Sequence, residues 1–210
     1  MIKILIADDH VLFREGLKQI LGKHRELRVI DEAGSGNEAM QKILHSSCDV
    51  VILDISMPGR SGLDILAEIR KVKPDLPVLI VSMHPEDQYA VRVLRAGASG
   101  YLTKESAAAE LISAIHKVAA GGRYISPSVA ERLADAIEND RDEAPHHTLS
   151  NREFQVMRML AAGKTLKEIA EDLILSEKTI TTYRARILEK MDLRNNVELS
   201  HYAIKHDLLD

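Results

Sequence analysis

The sequence predicts a parallel α/β domain followed by an all-α domain. Three observations carry this. Residues 1 to about 120 alternate short β-branched runs with amphipathic helical stretches. A charged, polar stretch broken by Pro145 then interrupts the chain. From Leu149 onward no strand signal recurs, and one helix-start signal follows another.

The strands are read at "IKILIA" (2–7), "LRVIDEA" (27–33), "DVVILD" (49–54), "PVLIVS" (77–82) and, more weakly, "SGYLT" (99–103). Helices are expected over about 11–22, 36–46, 61–71, 86–96 and 106–120. Strand–helix units in series imply a parallel sheet with helices on both faces and right-handed crossovers. For five strands the expected order is the flavodoxin-like 2-1-3-4-5. This gives a first domain over residues 1–120. A linker over 121–147 follows, with a helix near 127–138 started by Ser126 and Pro127. Within it "DRDEAPHH" (140–147) reads as linker, and its two histidines as linker composition. Residues 148–210 form the second domain, with four helices near 151–162, 166–173, 177–191 and 196–207. Ser150/Glu153, Thr165/Glu168 and Asn195/Glu198 have the capping-box spacing or its Asn variant, and Ser176 can cap a further helix.

Composition narrows the function. The 210 residues are 45% hydrophobic and 29% charged, a globular profile, and the net charge of −4 offers no bulk attraction to nucleic acid or membrane. A single cysteine, Cys48, excludes an internal disulfide framework and fits a reducing cytosol. The N-terminal apolar run is too short for a signal peptide, and no stretch is long enough to span a bilayer. A cytoplasmic location and no membrane partner are expected.

In a doubly wound sheet, function gathers at the carboxyl ends of the strands, near the point where strand order reverses. Strand 1 ends in Asp8 and Asp9, strand 3 in Asp54, strand 4 in Ser82, and Lys104 follows strand 5. Three carboxylates converging there repel one another unless a cation sits among them. Oxygen donors without a Cys or His partner suit Mg²⁺. His10, beside the acids, is read as a helix-start residue and not as a ligand. A carboxylate beside Mg²⁺, a lysine and a hydroxyl is equipped to accept a phosphoryl group.

These residues carry a resemblance. The "DD" after strand 1, the lone Asp in "LDISMPGRSGLD", Ser82 ending "VLIVS" and Lys104 in "GASGYLTK" resemble the receiver domain of bacterial two-component response regulators. The resemblance implies that a sensor histidine kinase phosphorylates Asp54. It implies that Asp9 and Asp54 ligate Mg²⁺ directly, with the Ser56 carbonyl completing the site and Asp8 acting through water. Ser82 and Tyr101 would be the switch residues, repacking when the phosphoryl group arrives. Such proteins accept a phosphoryl group and are not dedicated enzymes. In that family the positions two past the acceptor and two past the strand-4 hydroxyl flank the attacking water; here they are Ser56 and His84. A phosphatase of the haloacid-dehalogenase type would need a second Asp at position 56, where Ser56 stands.

In the second domain, "LILS" reads as the turn of a helix-turn-helix. On the helix after it Ile180, Ile187 and Met191 share one face, and Lys178, Thr182, Ala185 and Glu189 the opposite one. Residues 146–210 hold 10 Lys+Arg against 10 Asp+Glu, so the usual basic footprint of a DNA-binding domain is missing. Residues 178–194 carry five basic against two acidic side chains, a local excess of +3. Charge and periodicity alone leave a DNA-binding and a protein-interaction module both open. The stretch "LSNREFQVMRMLAAGKTLKEIAEDLILSEKTI", with "ILEKM", resembles the LuxR-type helix-turn-helix, and the whole chain resembles a NarL/FixJ-type response regulator. That implies double-stranded DNA as partner and a homodimer on phosphorylation. It places DNA contacts at Lys178, Thr179, Thr181, Thr182 and Arg186, with Arg184 at the margin. A DNA-binding regulator that does not use phosphorylation is the alternative.

Overall fold

A computed structural model describes residues 1–58, 60–138, 144–206 and 208–209. The chain divides into two compact units, Met1–Ala134 and Asp135–Asp210. The part of the expected linker over 139–143 lies outside the described residues, as does Gly59 in the turn after Asp54.

The first unit alternates β1 (Ile2–Ala7), α1 (Val11–Leu21), β2 (Leu27–Ala33), α2 (Gly36–His45), β3 (Val50–Leu53), α3 (Gly62–Val72), β4 (Val78–Ser82), α4 (Glu86–Arg95), β5 (Gly100–Thr103) and α5 (Lys104–Ala119). The strands form one parallel sheet in the order β2-β1-β3-β4-β5, the predicted order. Ile4, Ile6, Val50, Ile52, Leu79, Val81 and Leu102 pack on one face with Leu17 and Leu21 of α1 and Leu111, Ile115 and Val118 of α5. Side chains alternate along a strand, so Leu5, Val51, Ile80 and Tyr101 turn to the opposite face. Both faces are buried, which is why these strands read as continuous apolar runs.

Two local features depart from the sequence reading. Helix α5 begins at Lys104, because Thr103 caps it by accepting from the Ser106 amide. The first unit also runs on past residue 120. Tyr124 forms an isolated parallel bridge with Gly100, its amide donating to the Ser99 carbonyl at 2.8 Å. The next helix, α6 (Pro127–Glu138), starts where Ser126 donates to Glu86 Oε2 at 2.6 Å.

The second unit contains a short 3-10 turn (Pro145–Thr148), which the sequence reading missed, and then α7 (Asn151–Ala161), α8 (Leu166–Leu173), α9 (Glu177–Lys190) and α10 (Asn196–Lys205). Ser150/Glu153 and Thr165/Glu168 form reciprocal capping boxes. Asn195 caps α10 on the amides of Val197 and Glu198, while the Glu198 carboxylate turns to the Arg194 amide at 2.8 Å. Phe154, Met157, Ile169, Ile180, Ile187, Met191 and Leu199 make the core. Buried Arg158 is kept satisfied by donating to the Leu208 carbonyl at 2.8 Å.

Candidate functional site

The predicted acidic residues meet at the carboxyl end of the sheet. Asp54 follows β3 directly and is 2% exposed; Asp8 follows β1 and is equally buried. The chain holds them there through backbone bonds, Asp54 N–H to Ala7 carbonyl at 2.8 Å and Asp8 N–H to Ala33 carbonyl at 3.0 Å. The start of α3 presses against the same loop. A Cβ at Gly62 would stand 2.0 Å from the Asp54 carbonyl oxygen, so only glycine allows this approach.

Lys104 joins the acids. Its Nζ lies 2.9 Å from Asp54 Oδ2 and 2.6 Å from Asp8 Oδ2, with the Phe13 ring 4.7 Å away on another side. Burial pushes the Asp54 carboxyl up to about 6; Lys104 opposes that rise and Asp8 adds to it. The Lys104 ammonium is itself held above its usual range, its carboxylate partners outweighing burial.

Asp8, Asp9, His10 and Asp54 each bring a potential ligand atom within 4.8 Å of the others. Asp9 Oδ1 is buried and makes no hydrogen bond among the described residues, with His10 Nδ1 2.8 Å away. An orphaned carboxylate oxygen in a set of acids fits a cation, so the cluster can hold a metal ion. His10 does start α1, as expected, but its ring also enters the cluster, 3.2 Å from Asp8 Oδ1 and 3.3 Å from Lys104 Nζ. Sequence reasoning left it out because a residue flanking two acids gives no sign of which way its side chain turns.

The other predicted residues lie beside this cluster. The Ser56 amide donates to Asp54 Oδ1 at 3.3 Å, and Ser56 Oγ lies 3.1 Å from His84 Nε2. Ser82 is fully buried, its Oγ accepting from the His84 amide at 3.3 Å. Tyr101 is turned inward and 2% exposed, its hydroxyl donating to the His84 carbonyl at 2.6 Å. Burial pushes its phenol far above the usual range, so it stays a donor. His84 stacks on Tyr89 at 4.5 Å. Ser82 and Tyr101 thus meet on the backbone of one residue.

The predicted nucleic-acid face is on α9. Ile180, Ile187 and Met191 are buried, whereas Lys178, Thr181, Thr182, Ala185, Arg186 and Glu189 are exposed and Thr179 is half-buried. Ser176, Lys178, Thr179, Thr182, Tyr183 and Arg186 line one shallow groove. Thr181 and Thr182 donate to carbonyls one turn back, Glu177 at 2.9 Å and Lys178 at 3.0 Å, leaving their lone pairs outward. Arg184 is drawn aside, its Nε donating to Asn196 Oδ1 at 2.7 Å. The turn into α9 passes through Ile174, exposed and in the left-handed conformation at φ 52°.

Comparison with known families agrees with this arrangement. Residues 4–116 match the response regulator receiver domain, and residues 147–203 match the bacterial regulatory proteins of the luxR family. The chain belongs to the response regulators. It is a two-component response regulator of the NarL/FixJ type. It is 39% identical to the response regulator UvrY of Escherichia coli over 99% of this chain and 96% of that one. It is equally similar to the response regulator GacA of Pseudomonas syringae, over 100% of this chain and 99% of that one. Among solved structures, the RcsB response regulator of Salmonella typhimurium is 25% identical, with a TM-score of 0.70 and 98% of each chain covered. An RcsB–DNA complex matches at 25% identity and a TM-score of 0.60, over 97% of this chain and 98% of that one. No helix among the described residues of this response regulator is long and apolar enough to cross a membrane.

Proposed function

We propose that this response regulator binds double-stranded DNA through α9 and is switched by phosphorylation of Asp54. The observation that carries the switch is Lys104 Nζ set between the buried carboxylates of Asp54 and Asp8, with Asp9 beside them. An Asp54 oxygen attacks the phosphorus of a phosphohistidine on a sensor histidine kinase. The P–N bond breaks, the histidine leaves with the electron pair, and Asp54 becomes an acyl phosphate. Lys104 stabilises the charge on the phosphoryl oxygens. In this reading Asp9, Asp54 and the Ser56 carbonyl would hold Mg²⁺, with Asp8 acting through water, and the ion would supply further neutralisation of charge at the site. The chain is an acceptor that turns over only by losing its own phosphoryl group, so it is not a dedicated enzyme.

Ser82 turns its hydroxyl to the new phosphoryl oxygen; Tyr101, expected to swing inward with it, already stands inward on the His84 carbonyl in this structure, so its part in the switch is to be locked there. This favours a homodimer. A dimer sets two α9 helices about 34–36 Å apart, one turn of DNA. Lys178 and Arg186 face phosphates or base edges, with Thr179, Thr181 and Thr182 beside them. Arg184, tied to Asn196, keeps its terminal nitrogens for a phosphate at the margin. The DNA-bound relative supports this use of the second unit, and access to DNA is what makes the cytoplasm the expected location.

Acetyl phosphate with Mg²⁺, followed by intact-mass measurement, tests the acceptor. The wild type gains one phosphoryl group and Asp54→Asn gains none. A wild type that stays unmodified while binding DNA supports the phosphorylation-independent alternative.

A further inference from the structure

We propose that Arg14 is a positioning residue for the cation site at Asp8, Asp9 and Asp54, a role that rests on the acceptor reading above. Arg14 lies one turn into α1, and its side chain is only 13% exposed. Nη1 donates to the Asp8 carbonyl at 2.6 Å, and Nε donates to Glu32 Oε2 at 3.1 Å at the end of β2. The Asp8 amide is held separately by the Ala33 carbonyl at 3.0 Å. A peptide unit is planar, so fixing the Asp8 carbonyl fixes the Asp8–Asp9 peptide plane. That plane sets the direction in which the Asp9 side chain, with its orphaned oxygen, leaves the backbone. Arg14 therefore acts on the carboxylates through the main chain and touches neither cation nor phosphoryl group.

The sign of its effect separates positioning from charge. Arg14 is a cation close to a cation site. If charge alone mattered, its removal would tighten Mg²⁺ binding. If it holds the acids in register, its removal weakens binding, as does loss of a group that orients a metal's ligands. Lys18 supplies the control. It also binds Glu32, at 3.0 Å from Oε1, and no contact joins it to Asp8.

The test is calorimetric titration of Mg²⁺ into the full chain, with thermal unfolding of each variant in parallel. Arg14→Gln is expected to weaken Mg²⁺ binding about 10- to 100-fold. Arg14→Lys, which keeps the charge but has one donor centre for two acceptors, recovers part of that loss. It also serves as the probe if the Gln variant does not fold. Lys18→Gln leaves Mg²⁺ affinity within about 3-fold, since it orients no ligand. Wild-type-like or tighter Mg²⁺ binding by folded Arg14 variants overturns the role of Arg14 alone, and so does an equal loss in Lys18→Gln. A wild type that binds no Mg²⁺, or binds it unchanged after Asp54→Asn, overturns the site reading and the role of Arg14 with it.

Discussion

Ser56 Oγ lies 3.1 Å from Nε2 of His84, so the residue two past Asp54 is paired with the residue two past Ser82. The Ser56 amide also donates to Asp54 Oδ1 at 3.3 Å, so the pair stands beside the carboxylate that the proposed function makes the phosphoryl acceptor. Under the proposed function His84 would orient the water that attacks an acyl phosphate, and Ser56 and the stack on Tyr89 fix its ring. His84→Ala is expected to lengthen the acyl-phosphate half-life about 10-fold. That is below the 10²–10⁴ of full general-base catalysis, because orientation alone is lost. Phosphate release after acetyl-phosphate loading measures it, and an unchanged half-life removes His84 from the account.

Asp54 weakens the fold it serves. Burial pushes its carboxyl up to about 6, above the ordinary value of 3.8 that holds in the unfolded chain. A raised carboxylate pKa means that the folded state binds the proton more tightly. Its contribution is most favourable below the unfolded value and is lost as pH rises through about 6. Asp54→Asn is therefore expected to stabilise the Mg²⁺-free protein at pH 7.5 by roughly 1–3 kcal/mol, with little effect near pH 4. Thermal unfolding at the two pH values checks this.

Gly62 is a steric requirement of the loop that follows Asp54. A methyl group there would meet the Asp54 carbonyl oxygen at 2.0 Å, and that oxygen belongs to the main chain. Gly62→Ala must move either α3 or Asp54, at a cost of about 2–4 kcal/mol if the packed interior resists. The expected result is a lower unfolding midpoint together with slower labelling by acetyl phosphate.

Ile174 stores strain at the turn into α9. A β-branched residue at φ 52° costs about 1–2 kcal/mol, and this one is 66% exposed, so little burial offsets it. Ile174→Gly or Ile174→Asn is expected to raise the stability of the second unit by about 1 kcal/mol. Denaturant unfolding reads this directly.

On α9, charge and hydroxyl positions separate in their salt dependence. Lys178→Ala and Arg186→Ala each reduce the slope of log affinity against log salt by about 1 if they contact phosphates. Thr182→Ala leaves the slope unchanged and alters only the preference among DNA sequences. Binding titrations at several salt concentrations distinguish them.

Much of this was legible in the residues, for physical reasons. The sheet order follows from strand count and parallel connections, and strands buried on both faces, such as "VVIL", announce themselves as apolar runs. Asp54 and Lys104 could be paired across 50 positions because both end a strand at the same sheet edge. The caps at Ser150, Thr165 and Ser176 were readable from local spacing. What escaped depends on side-chain direction or on long-range backbone approach. His10 turned toward the carboxylates, Arg14 reached back to a carbonyl, Tyr124 added itself to the sheet edge, and Glu198 chose the Arg194 amide over its own cap. None of these has a periodicity, and each is decided by tertiary packing.

The most direct test of the central claim is titration of the full chain with beryllofluoride and Mg²⁺, which together mimic an acyl phosphate, alongside Asp54→Asn. Mass by light scattering and DNA affinity at two salt concentrations are the readouts. The account predicts that the wild type doubles in mass and binds DNA more tightly, while Asp54→Asn responds in neither. Equal DNA binding by both proteins, with no change in mass, would contradict a switch at Asp54.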